Sequence, residues 1–160
     1  MDLTKLNTGE KVIGVSGIAL FIFSFFKWLG FSAGPFSVSR SAWSFTLCWI
    51  AVVLGILMVG YVAAKLFDVS LPDLGSVSWA QVLLIVAAII FLFILIKLIV
   101  GPADVPDGVS KDRKIGIFLG LLASIGLVAG AYLNAKETGD LPGSIGGAKG
   151  GSTPPPPPPA

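Results

Sequence analysis

The chain has 160 residues, 54% hydrophobic and 12% charged, with a mean hydropathy of +0.90. A soluble domain carries about 25% charge, so the deficit fits a membrane protein, and a net charge of +2 is too small to point to nucleic acid. With no histidine and one cysteine, Cys48, the composition excludes Ser-His-Asp and Cys-His catalysis, ordinary zinc sites and an intrachain disulfide.

Met1 to Lys11 reads as a short polar leader, followed by VIGVSGIALFIFSFF. A signal peptidase would need a small residue at −3, and the only small-residue stretch, Ser32-Ala33-Gly34, puts Phe31 there. The first span is therefore expected as an uncleaved helix over about 12–31. Lys27 would snorkel from its last turns, with Trp28 and Phe31 in an interfacial belt. Ser32 to Ser41 is a short Gly/Pro-broken loop closed by Arg40, and the uncharged run behind it predicts a second helix over 42–65, with Trp43 and Trp49 near its start. Asp68 to Ser78 is a polar connector, and Ser78 with Gln81 resembles a capping box, so a third helix is expected over 79–100, starting at Trp79.

The third helix carries the strongest signal. In Val82 to Ile96, thirteen of fifteen residues are Val, Leu, Ile or Phe, with no polar stripe. At roughly −0.3 to −0.6 kcal/mol each, they favour insertion by about 4 to 8 kcal/mol. The uncharged run from Leu74 to Ile96 is long enough for a hydrocarbon core of about 30 Å. Lys97 ends it and Gly101-Pro102 breaks the helix. The loop that follows holds Asp104, Asp107 and Asp112, but their spacing fits no EF-hand, and a solvated loop is expected. The fourth helix is placed at 114–135 and is the richest in glycine.

The expected fold is thus all-α: a four-transmembrane-helix bundle over residues 1–136, with a disordered Gly/Pro-rich tail over 137–160. The tail cannot pack a core, and Pro154 to Pro159 would form a polyproline II rod of about 19 Å. On the fourth helix, Gly116, Gly120, Ala123 and Gly130 share one line with Leu127 and Asn134, the small-residue pattern of a close membrane seam. Ala51 and Gly55 on the second helix, and Gly14 and Gly17 on the first, are the expected partners. Lys27, Lys97, Trp43 and Trp79 are expected as interfacial anchors.

The first and third loops also resemble each other, GP-F-SVSR (Gly34 to Arg40) against GP…GVSK (Gly101 to Lys111), as in a parallel repeat of two helical hairpins. Four spans put both termini on one side. Five basic residues on that side face six on the other, so positive charge does not orient the protein.

The segment Thr8 to Asn134 resembles the small four-helix membrane proteins of unknown function of actinobacteria and related bacteria. Thr8-Gly9-Glu10-Lys11, Ala42-Trp43, Lys97-Leu98-Ile99 with Gly101-Pro102, and Arg113-Lys114-Ile115-Gly116 carry the likeness. Lys27 departs from it, since a proline in a Phe-Pro-Trp-like turn is expected there. The resemblance implies cytoplasmic termini, in the cell membrane, and no activity.

Function is expected to be structural, a scaffold or assembly protein, with a small transporter, channel or auxiliary subunit as the alternative. The spans hold no Asp, Glu, Arg or His at mid-depth, which a transport path usually needs. No catalytic, cofactor-binding or metal-binding residues are expected, and no enzyme activity. The expected partners are the lipid bilayer and a membrane protein or a second copy of the chain, with no nucleic acid.

Overall fold

The computed structural model describes residues 3–72, 74–101 and 109–141. A short turn of 3-10 helix, Leu3–Lys5, leads into α1 (Thr8–Ser24). Asn7 opens α1 with a reciprocal capping box. Its side-chain oxygen accepts from the Glu10 amide at 2.7 Å, and the Glu10 carboxylate accepts from the Asn7 amide at 3.1 Å. Two of the orphan amides of the first turn are satisfied this way.

Helix α1 stops at Ser24, and the chain becomes extended as β1 (Lys27–Ala33), turns at Gly34-Pro35, and returns as β2 (Phe36–Ser41). This corrects the span expected over 12–31, and with it the all-α class. Two local causes are visible. The Trp28 indole N–H donates to the Phe23 carbonyl at 2.7 Å, joining the Phe26 amide on that carbonyl and drawing the chain back across the helix end. Gly34 sits at φ +59°, the left-handed value that opens a two-residue hairpin with glycine first.

After a 3-10 turn at Ala42–Ser44 comes α2 (Thr46–Leu66), which starts four residues later than expected. Helix α3 (Trp79–Val100) matches its expected bounds, and Ser78 accepts from the Gln81 amide at 3.2 Å as its cap. The loop expected to be solvated contributes a third strand, β3 (Ser110–Arg113). Helix α4 (Ile115–Thr138) runs three residues past its expected end and closes on Gly139 at φ +77°. The tail expected to be disordered from 137 is helical to Thr138, and residues 142–160 lie outside the described residues, as do Asp104 and Asp107.

The sheet order is β2-β1-β3, antiparallel throughout. The likeness of the two loops has a structural counterpart: both supply a strand flanking β1. The ladder aligns Ser37–Arg40 with Ser110–Arg113, since Leu29 faces Arg40 on one side and Arg113 on the other. That register matches SVSR with SKDR rather than with GVSK.

The four helices form an up-down bundle. Glu10 of α1 meets Lys65 of α2, Tyr61 of α2 meets Trp79 of α3, and Gly9 of α1 meets Asn134 of α4, so these pairs are antiparallel. The first and last helices close the ring, and the sheet covers the end opposite the chain termini. Ile13, Leu20, Met58, Ile90, Ile94, Ile117 and Leu127 fill the centre. Outward faces are apolar as well, with Val15, Ile22, Leu57, Ile85, Leu92 and Leu122 exposed. A helix apolar all round needs an apolar surrounding, and α2, α3 and α4 are each long and apolar enough to cross a membrane.

Candidate functional site

Two polar regions stand out, one at each end of the bundle. At the terminus end, Glu10 is fully buried and committed on both oxygens: Oε2 to the Asn7 amide, Oε1 to the Lys65 ammonium. Lys65 also lies 5.9 Å from the centre of the Tyr61 ring, which packs on Trp79 at 5.4 Å. The Asn7 amide group donates to Asn134 Oδ1 at 2.7 Å, joining the first turn of α1 to the last turns of α4. This clasp ties α1, α2 and α4 together. A carboxylate with both oxygens bonded and no exposed surface is built to hold helices rather than to move a proton to a substrate. Composition had assigned Glu10 to the polar leader. The Asn7-x-x-Glu10 spacing, just ahead of an apolar run, is the signal that places it on a helix.

At the sheet end the organising residue is Trp28, fully buried rather than in the interfacial belt. Its ring lies across the groove that Gly116 and Gly120 leave on α4. A Cβ at Gly120 would come within 2.5 Å of the ring, and one at Gly116 within 2.6 Å of the Lys27 carbonyl. The Trp28 carbonyl accepts from the Lys114 amide at 2.9 Å, fixing the entry into α4. Arg113 donates to the carbonyls of Leu98 at 2.6 Å and Ile99 at 3.1 Å, so β3 caps the C-terminus of α3. On the sheet, the Ser32 hydroxyl donates to Asp112 at 2.7 Å and Lys114 lies 3.4 Å away. These two groups hold the Asp112 carboxyl below its ordinary value, the hydrogen bond from Ser32 contributing most.

The small residues expected to pack helices are all buried; Leu127 of their line meets the expected Gly17 and Gly55, while the glycines themselves pack on other residues. Gly130 faces Ile13 and the Gly9 carbonyl of α1, while Gly116 and Gly120 face Trp28. Ala123 and Ala51 are buried. Gly55 and Gly17 belong to the α1–α2 seam, where Leu20 and Val59 cross, and Leu127 reaches both glycines from α4.

Among the four anchors, Lys27 is exposed as the first residue of β1 instead of sitting in a helix end. Trp43 is 40% exposed, and its indole N–H donates to Ser24 Oγ at 3.1 Å. Trp79 donates to the Pro72 carbonyl at 3.0 Å. Lys97 lies over the Phe45 ring at 5.7 Å and shares a cavity with Arg40.

Among the described residues, no three His, Cys, Asp or Glu side chains gather where a metal ion would need them. The chain matches no protein-family model, no curated protein and no solved structure.

Proposed function

We propose that this is a four-pass membrane protein of the cell membrane, with cytoplasmic termini, that acts as a structural or assembly scaffold. The observation that carries this reading is the closed centre of the bundle. Ser24 and Ser124 are buried and return their hydroxyls to the carbonyls of Phe21 and Leu121, in their own helices. Glu10 and Asn134, the other buried polar side chains among the described residues, sit together at the terminus end. Between the two ends Ser124, with its hydroxyl returned to its own helix, is the one fully buried polar side chain among the described residues, whereas a transport path needs polar groups at mid-depth. The resemblance to small four-helix membrane proteins of actinobacteria belongs to the same proposal.

The fourth crossing rests on α1, the shortest of the helices. Gly9 touches α4 at Asn134, and Trp28 touches it at Gly116 and Gly120. Those contacts bracket about 27 Å of α4 at 1.5 Å per residue, so α1 and its following turn cover nearly the full apolar thickness.

Single cysteines at Ser37 and Ser70 in a Cys48→Ala background should label from opposite faces of the membrane. Labelling from one face would remove the four-pass arrangement. For function, cross-linking in native membranes followed by purification should recover a stoichiometric partner or a second copy of the chain. In reconstituted vesicles, proton, sodium and potassium flux should equal the protein-free rate. A protein-dependent flux would overturn the scaffold reading in favour of a transporter or channel.

A further inference from the structure

At the sheet end, a cavity of about 430 Å³ opens between β2, the start of α2 and the last turn of α3. Arg40 and Lys97 are its two charged residues; Ser44 and Thr46 add hydroxyls, and Phe31 and Phe45 aromatic walls. Among the described residues, the Arg40 side chain makes no hydrogen bond or ion pair, and the Lys97 ammonium has only the Phe45 ring. Arg40 is exposed and Lys97 half-buried, and two like charges lining one cavity with no acid among its lining residues leave a place for an anion. Elsewhere among the described residues, Lys5, Lys65 and Lys114 have acidic partners and Arg113 caps a helix, while Lys11, Lys27, Lys111 and Lys136 stand singly and line no cavity with a second cation at this end.

The surroundings say what would compensate this pair. At the same end, Lys27, Lys111, Arg113 and Lys114 lie on or beside the sheet, against Asp112 as the acid of the described strands. Phe25, Phe26, Phe36 and Trp43 are exposed around it. Basic groups ringed by exposed aromatics fit the headgroup layer of an anionic leaflet. Lys97 lies three residues, about 4.5 Å, below the end of α3, a depth that in the four-pass arrangement falls where headgroup meets hydrocarbon. Thr46 and Leu47, the first residues of α2, line the same space, and no side chain caps that helix.

We propose that this cavity binds a phosphate group. Arg40 would grip two of its oxygens, Lys97 would supply a second positive charge, and Ser44 and Thr46 would donate from their hydroxyls. A lipid phosphodiester and a free phosphate ion share this chemistry, and the test separates them. The site goes beyond the scaffold reading and stands or falls without it.

The protein, delipidated in a neutral maltoside, is titrated with dihexanoyl phosphatidylglycerol, dihexanoyl phosphatidylcholine and inorganic phosphate. Binding is read by native mass spectrometry and by the shift in melting temperature. One phosphatidylglycerol should bind saturably. The Arg40→Gln/Lys97→Gln variant should bind it about tenfold more weakly, as expected for losing charge-assisted hydrogen bonds. The Lys27→Gln/Lys111→Gln variant, with the same loss of charge outside the cavity, should stay within about twofold of wild type. Should the double variant fail to fold, Lys97→Arg and Lys97→Gln carry the comparison, the first keeping affinity and the second losing it. Binding of phosphatidylglycerol without inorganic phosphate identifies a lipid headgroup; comparable binding of both identifies a free phosphate site. No saturable binding by wild type, or equal losses in the cavity and control variants, would overturn the proposal.

Discussion

The α1–α4 seam and the α2–α3 seam run the same length of the bundle and are built on opposite plans. Between α1 and α4, glycine lets backbone meet backbone: a Cβ on Gly9 would lie 2.2 Å from the Asn134 amide nitrogen and 2.6 Å from the Gly130 carbonyl. Between α2 and α3, large side chains keep the helices apart and leave a cavity of about 430 Å³, lined by Leu54, Met58, Tyr61, Trp79, Leu83 and Val86 among others. The two helices differ in the same sense. Helix α3 is the most hydrophobic, yet 22% of its apolar window is buried in the bundle, against 44% for the less hydrophobic, glycine-rich α4. In lipid, apolarity gives a helix no preference for protein over solvent, so the central position goes to the helix that allows close contact.

The sharpest way to break the contrast is to add one methyl group to each seam. Gly9→Ala sets a Cβ against backbone atoms that cannot rotate away, so it should cost about 3 kcal/mol or more, at the top of the range for overpacking. Gly60→Ala, on the cavity between α2 and α3 with nothing within 4 Å of its Cβ, should leave thermal stability in detergent unchanged or slightly higher. Gly120→Leu and Gly126→Leu refine the test within α4. The first meets the wedged Trp28 ring, while the second meets the Ser16 hydroxyl, which can turn aside, so the first should lower the melting temperature more. Equal tolerance at Gly9 and Gly60 would mean that the α1–α4 contact is not what holds the bundle.

Much of this was legible in the sequence. Helix α3 was placed to the residue because an uninterrupted apolar run, a serine cap and a Gly-Pro stop all agree. The glycine line on α4 identified a buried face, since the spacing needs no knowledge of the partner. What failed was the stretch after Ser24. FFKWLGF is as apolar as a helix end, and nothing in its periodicity says that Trp28 will fold back under α4. The sheet depends on a pairing of β1 with β3 more than 70 residues away, a distance over which local pattern carries no information. Gly34-Pro35, read as a loop breaker, was also a hairpin turn. The Asn7/Glu10 capping box is legible in the sequence ahead of the apolar run, and it puts a buried carboxylate on a helix where overall polarity suggests a leader.

Substitutions in the clasp at the terminus end test whether it holds the closed seam in place. Lys65→Met would leave the fully buried Glu10 charge without its cation. Breaking a buried pair from one side costs about 3 to 5 kcal/mol, and because Lys65 is partly exposed a loss of about 2 kcal/mol is expected. Glu10→Gln keeps the acceptor for the Asn7 amide and leaves the lysine free to reach water, so it should cost less. The double variant Glu10→Gln/Lys65→Met should recover part of the Lys65→Met loss in thermal unfolding. A strictly additive double variant would show that the two groups are not coupled.

The smallest effect belongs to the sheet end, on the strand pair that holds Trp28 over α4. Asp112 of β3 is held below its ordinary value of 3.8 first by the hydroxyl of Ser32 on β1 and then by the Lys114 charge. A carboxyl depressed in the folded state favours folding above its unfolded value and loses that contribution as pH falls through its folded value. The β1–β3 pairing should therefore be indifferent to pH near neutrality and weaken only below about 3.8, seen as faster hydrogen exchange at the Gly30 and Ser32 amides, which share the side of β1 that the Trp28 carbonyl turns to β3. The cause can be resolved residue by residue from the titration of the carboxyl carbon of Asp112, followed by nuclear magnetic resonance. Ser32→Ala should bring the midpoint back toward 3.8 by more than Lys114→Gln does, because the hydrogen bond is the larger of the two influences. A larger shift from Lys114→Gln would mean that charge rather than the cross-strand hydroxyl sets this carboxyl. The Ser32–Asp112 contact would then be a consequence of the strand register and not one of its causes.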